Sequence, residues 1–383
     1  GLAEDTIVFY YGDHGGALPR GKRNIHDSGT RVPFIVRFPA KWAHLAPAKP
    51  GEWVDELLSF VDLPPTAMNL CGIKAPANYQ GRVLMGPNRA APRETVFLYR
   101  ARMDERYDSV RAVRDGTTRF IHNYSPHRPY GQQYSYPFEV QPSMRSWYEE
   151  FQAGRCNEVQ SVYWKPKAPE EFYVLANDKY ELTNLVNDPK HAAKATEMRK
   201  KLRAEMLATR DTGFIPEGMY ERLAGDKTIY DYAQSAAYPL ERIIDLADKA
   251  TSRDERHLRE LTAALDDKHP VIRYWGAMGC LVLQAKAAPA RAKLQAALKD
   301  EMPDVRIVAA EAIGYLGEGE AGFAVLSAEM KNTERYVALA ALNTAEYMWR
   351  AGHVPLAKVQ AAVKGLELKE PAGRMTKYLL SVK

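Results

Sequence analysis

Strand-forming sequence is confined to the first half of this chain. Continuous β-branched and aromatic runs occur at Thr6–Tyr11 and Pro33–Phe38, short alternating runs at 96–99, 109–113 and 119–122, and a further apolar run at 171–175. From about Pro239 onward the sequence is rich in Ala and Leu with little strand character. Strands and helices bury their apolar sides in different layer architectures. The chain must therefore join an α/β part to an all-α part, and its 383 residues suffice for two or three domains.

The all-α part repeats. His269-Pro270-Val271-Ile272-Arg273 resembles Met302-Pro303-Asp304-Val305-Arg306, with Pro270 and Pro303 separated by 33 positions. Glu334-Arg335-Tyr336-Val337 is a weaker third copy, its Arg335 lying 29 positions after Arg306. A period of this size marks stacked helix pairs. The Pro-x-Val-Arg start followed by small residues resembles HEAT repeats, which implies an α-solenoid over 226–383 and a protein partner bound through it. The alternative is an Ala-rich helical bundle without a true repeat.

In the α/β part, helical spacing predicts a helix over Asp55–Leu70, ended by Cys71-Gly72. The three alternating runs at 96–99, 109–113 and 119–122 predict a small antiparallel sheet. A Tyr-, Pro- and Arg-rich loop is expected over Asn123–Gln141 and a helix over Pro189–Thr209. The expected organisation is an α/β core at 1–94, a subdomain with the small sheet at 95–225, and helical repeats at 226–383. The net charge of +5 is dispersed, which argues against a nucleic-acid surface, since phosphate tracking needs clustered Lys and Arg. Cys71, Cys156 and Cys280 form no paired framework. No apolar run approaches a membrane span. With neither an initiator Met nor a signal peptide, the sequence reads as one that begins inside a domain.

The first strand runs into Gly12-Asp13-His14-Gly15-Gly16, and Lys22 follows. A carboxylate at a strand end can bind a hard cation such as Ca²⁺, and an imidazole beside it can complete the shell or bond an anion. An ammonium within reach suits a tetrahedral oxyanion. Cation, imidazole and lysine together could hold a sulfate or phosphate ester. The plainer reading is a turn in which Asp13 caps backbone amides.

The wider stretch DTIVFYYGDHG…GKRNIHDSGTRVPFIVRFP resembles the sulfatase family of the alkaline phosphatase superfamily. SFVDLPPTAMNLCGI (59–73) and EEFYVLANDKYELTNLVNDP (170–189) are similar to two later segments of that family. Arg102 to Gln132 resembles the heparan N-sulfatase-like branch. The resemblance implies the C-terminal part of an alkaline-phosphatase-like sheet. It also implies Asp13 and His14 as calcium ligands, Lys22 as a sulfate contact, and a sulfated carbohydrate or other sulfate ester as substrate. His26 and Asp27 stand where the family usually has Tyr and Glu, and His26 is a candidate catalytic residue. A periplasmic or secreted location follows from the same resemblance. The family's nucleophile is a formylglycine made in a Cys/Ser-x-Pro/Ala-x-Arg motif. None of the three cysteines opens such a motif, so this stretch taken alone is expected to be inactive.

Arg102, Arg106, His127 and Arg128 are candidate sugar-binding residues, since guanidinium groups suit carboxylates and sulfates. Salt bridges within the protein are the competing explanation. Tyr130, Tyr134, Tyr136 and Trp147 could stack on a sugar or simply pack. Two alternatives to a sulfatase stay open: a non-catalytic sulfatase-like module working through its repeats, and a phosphoesterase or phosphonate hydrolase of the same superfamily.

Overall fold

The computed structural model describes residues 1–382. The chain divides into two compact units that interleave along the sequence. The first comprises Gly1–Arg100, Arg111–His122 and Glu170–Glu205; the second comprises Ala101–Val110, Asn123–Pro169 and the chain from Met206 onward.

The first unit opens with β1 (Val8–Tyr11), the short helix α1 (Asp27–Thr30) and β2 (Phe34–Arg37). β1 and β2 pair antiparallel, Val8 opposite Arg37 and Tyr11 opposite Phe34. Both runs read as buried strands in the sequence, yet Tyr10 and Ile35 are 63% and 60% exposed. The reason is topological. Among the described residues no strand flanks this two-stranded ribbon; Phe60 packs on Tyr11 and Phe34, while the face of Tyr10 and Ile35 stays open.

The helix expected from residue 55 starts later. Ser59 and Asp62 form a capping box around the one-turn helix Phe60–Asp62, and α2 (Leu63–Leu70) follows with prolines in its first turn. Fully buried Asp62 also accepts from the Arg82 backbone N–H at 2.8 Å and pairs with Arg93 at 2.6 Å. One carboxylate thus ties the helix start to the following loop.

A four-stranded sheet follows, in the order β3 (Val96–Arg100), β4 (Val110–Arg114), β5 (Thr118–Asn123) and β6 (Glu170–Val174). The Asp115-Gly116 turn joins β4 to β5, Asp115 Oδ1 accepting from the Thr117 and Thr118 amides. β5 and β6 pair antiparallel with Phe120 opposite Phe172, both fully buried. Helix α6 (Ala192–Ala208) buries Ala195, Met198 and Leu202. Its Arg199 binds Glu170 of β6 through two bonds of 2.7 and 2.6 Å, and its Lys194 pairs with Asp115 at 3.0 Å.

The second unit is helical. The expected loop 123–141 is partly helix: α3 (Ser135–Val140), α4 (Pro142–Gln152) and α5 (Glu158–Val162) pack Phe138, Met144, Tyr163 and Trp164 with Tyr130. Trp147 stacks on Tyr163 at 4.8 Å and Tyr130 and Tyr134 are buried, whereas Tyr136 is 40% exposed. Asn123, in a glycosylation-like Asn-Tyr-Ser, is fully buried and its amide donates to the Ala168 carbonyl, which closes it to modification.

Beyond Met206 come α7 (Tyr220–Ala224), α8 (Ile229–Ala233), α9 (Leu240–Thr251), α10 (Leu258–Ala264) and α11 (Pro270–Leu283). Then follow α12 (Arg291–Ala297), α13 (Pro303–Gly314), α14 (Gly319–Glu329), α15 (Arg335–Arg350), α16 (Leu356–Val363) and α17 (Ala372–Ser381). The three repeated motifs open α11, α13 and α15, and these helices pack in series, each beside a shorter partner helix. Among the described residues no helix is long and apolar enough to cross a membrane.

Candidate functional site

The loop between β1 and β2 is built from close backbone contacts. The Gly15 amide donates to the Gly29 carbonyl at 2.9 Å and the Lys22 amide to the Gly16 carbonyl at 2.9 Å. A methyl group on Gly15 would overlap the Ser28 carbonyl, and one on Gly21 would overlap the Gly16 carbonyl. Only glycine permits this fold-back, which brings the backbone of Lys22 to within two residues of His14.

Asp13 and His14 sit at the mouth of that loop. Their side chains approach at 3.1 Å from Nε2 to Oδ2; Asp13 is 80% exposed and His14 32%. His14 Nδ1 lies 2.8 Å from its neighbour's carbonyl oxygen, Gly15 O. Asp13 offers solvent-facing oxygens, as a hard cation requires. The pair supplies at most two of the six to eight ligands that Ca²⁺ takes. Among the described residues no group of three or more His, Cys, Asp or Glu could hold a metal.

His26 is elsewhere in its surroundings. It is 1% exposed, its Nε2 lies 3.7 Å from Glu171 of β6, and Tyr173 donates to the same carboxylate at 2.6 Å. Burial, followed by the nearby Arg20 charge, holds the imidazole below its ordinary range, so it is neutral at pH 7. Its neighbour Asp27 is an anchor: Arg114 and fully buried Arg119 both pair with its carboxylate. Arg119 also reaches Glu181 at 3.2 Å and donates to the Ile25 carbonyl. Glu181 in turn accepts from the Asp27 amide at 2.7 Å. These contacts fix the segment after Lys22 against the sheet. Sequence reasoning missed them because Asp27 and its arginines are about 90 positions apart.

The sugar-binding candidates lie in the second unit. Arg102 holds Glu217 through contacts of 2.8 and 3.1 Å, and Arg128 holds Glu311 through a two-pronged pair. Arg106 is 1% exposed, paired with Glu346, and donates to Asn343 at 2.8 Å. Burial pushes Glu346 up, but Arg106 and Arg350 outweigh it and the carboxyl stays below its usual range. The structure therefore gives all three guanidinium groups internal carboxylate partners. Arg102, His127 and Arg128 line one cavity of about 100 Å³, whereas Arg106 is not part of its wall.

Residues 1–73 match the sulfatase family model. The N-terminal part of the chain is sulfatase-like. Over 219 residues the chain is 37% identical to "Ulvan-active sulfatase" of Formosa agariphila, covering 57% of this chain and 35% of that protein. It is 25% identical over 237 residues to human "N-sulphoglucosamine sulphohydrolase", covering 58% and 45%. A solved structure of a protein in complex with its substrate D-glucosamine-2-N,6-O-disulfate aligns with a TM-score of 0.35 and 18% identity, covering 53% of this chain and 34% of that one. The chain thus spans less than half the length of these relatives. Within the sulfatase-like segment lie Asp13, His14, Lys22 and His26.

Proposed function

We propose that this chain is part of a sulfatase that hydrolyses sulfate esters or N-sulfates of a sulfated carbohydrate. The observation that carries the reading is the 37% identity to an ulvan-active sulfatase over more than half of the chain, together with the sulfatase match of residues 1–73. Asp13 and His14 would hold part of the shell of a Ca²⁺ ion, whose chemistry when bound is to neutralise charge on the sulfate oxygens. Lys22, tied by its backbone beside Gly16, would meet the sulfate with its ammonium group. Neutral, buried His26 would position β6 groups around the loop. Attack by a formylglycine belongs to the family chemistry, and no motif of this chain supplies that residue. Arg102, Arg106 and Arg128, each committed to an internal glutamate, would hold the segments they stand on. The helical repeats would form a HEAT-like surface for a protein partner, and a secreted or periplasmic protein is the setting this substrate class requires.

The test is sulfate release by the full-length protein from aryl sulfate and from N- and O-sulfated glucosamine, with and without chelator. Chelation is expected to stop turnover, and Lys22→Ala to slow it by about 10²–10³-fold, the usual size for removing one charge-stabilising group. Hydrolysis of phosphate esters with no release of sulfate would overturn the assignment.

A further inference from the structure

The cavity of the second unit has features that the sulfate reading leaves unused. At about 100 Å³ it has room for several waters or one small ring. Met278, Leu281 and Leu339 make part of its wall apolar. Its two arginines are spent on Glu217 and Glu311. Asp304, in the first turn of α13, is different. It is 5% exposed, it lines the cavity, and its Oδ2 is buried without a hydrogen-bond partner. Gly218 faces it, and a methyl group there would lie 2.7 Å from both carboxylate oxygens. His127 Nδ1, from the same wall, is also buried without a partner. A buried polar atom left unfilled costs about 1–3 kcal/mol, so a site that keeps two of them is built to be filled.

The charges decide by what. Each arginine cancels its glutamate. Burial, with Arg128, Lys167 and Arg253 nearby, keeps His127 well below its ordinary range and hence neutral. The charge left over is that of Asp304. A sulfate or phosphate would meet no uncommitted cation here, whereas a positive ligand would meet an acceptor with nothing bound to it. We propose that this cavity binds a small organic ammonium of monosaccharide size, with Asp304 as its counter-ion and the apolar wall covering the ring or chain that carries the charge. The proposal stands apart from the sulfate chemistry, which rests on residues of the first unit.

The test compares cyclohexylammonium with cyclohexanol, its neutral counterpart, and cyclohexyl sulfate by titration calorimetry on the full chain. The ammonium is expected to bind at least about tenfold more tightly than either, a difference of about 1.4 kcal/mol. Burial above all disfavours the ionised form of Asp304; Glu334 and Glu329 add to this, and Arg222 favours ionisation. Since binding requires the ionised form, affinity is expected to fall about tenfold from pH 8 to pH 6. Asp304→Asn should remove both effects. If that variant does not fold, the pH series on the unaltered protein decides. Equal binding of ammonium and alcohol, or no binding of the ammonium, overturns the proposal.

Discussion

Arg273 and Arg306, 33 positions apart, make the same contacts. Each sends Nη1 to the carbonyl oxygens five and six residues upstream: Lys268 and Asp267 for Arg273, Glu301 and Asp300 for Arg306. Each also holds a carboxylate further along the chain, Asp300 at 2.7 Å in one case and Glu329 at 2.8 Å in the other. The motif is thus a device that closes the turn before a helix and clasps the next element. Arg306→Ala is expected to lower stability by about 1–3 kcal/mol, the range for bonds to charged partners. Arg306→Lys should restore less than half, because an ammonium cannot make the forked contact. Denaturant unfolding of the two variants checks this; equal stability of Ala and wild type would refute it.

Arg119 is the corresponding hub of the first unit, with no solvent exposure and two carboxylates, Asp27 and Glu181, on it. Arg119→Met would leave Glu181 without its cation and Asp27 with Arg114 alone. A loss of about 3–5 kcal/mol is expected, as for other broken buried pairs. A double variant that also replaces Asp27 with Asn should recover part of the loss, read by chemical denaturation.

Acid should weaken the fold through its buried histidines. His26 and His127 both have folded values below 6.5, so the unfolded chain binds more protons as pH falls past that point. Their contribution is intact above pH 6.5 and is lost below it, by up to about 1.4 kcal/mol per pH unit for each group. By NMR both imidazoles should titrate with midpoints below that of a free imidazole, His127 well below it.

Asp304 carries the opposite sign. Burial, chiefly, pushes its carboxyl up to about 7. The folded state then binds the extra proton, so stability present at low pH is lost as pH rises toward 7. Without a ligand, Asp304→Asn is expected to raise the unfolding free energy at pH 8 by on the order of 4 kcal/mol and to change it little at pH 4. Thermal melts at the two pH values measure the difference.

Thiol reactivity should separate Cys71 from Cys280. Cys71 is exposed, whereas Cys280 is buried and its thiol is pushed up to about 12 by burial. A thiol reagent should label Cys71 rapidly in the native protein and Cys280 only after denaturation.

Local pattern carried much of the fold. β3, β4 and β5 fall within one residue of their alternating runs, and α11 and α13 begin at the prolines of the repeated motif. Those features are encoded by neighbours in sequence. What the sequence concealed depends on distant partners or on missing cover. Nothing near Arg128 announces Glu311, 183 positions away, and nothing near Arg106 announces Glu346. The apolar run at Val8–Tyr11 has the composition of a covered strand, but composition does not say how many strands stand beside it. Of the candidate site, Asp13, His14 and Lys22 were legible as chemistry; the unpartnered oxygen of Asp304 was not, because it looks like an ordinary helix-opening aspartate.

The interlocked glycines between β1 and β2 have a consequence for how this loop can change. Its course is dictated by the side chains it lacks, since Gly15 and Gly21 admit nothing larger. Exposed positions such as Asp13 and Leu18 can therefore drift without rerouting the chain, so one rigid frame can display different chemistries to whatever approaches it.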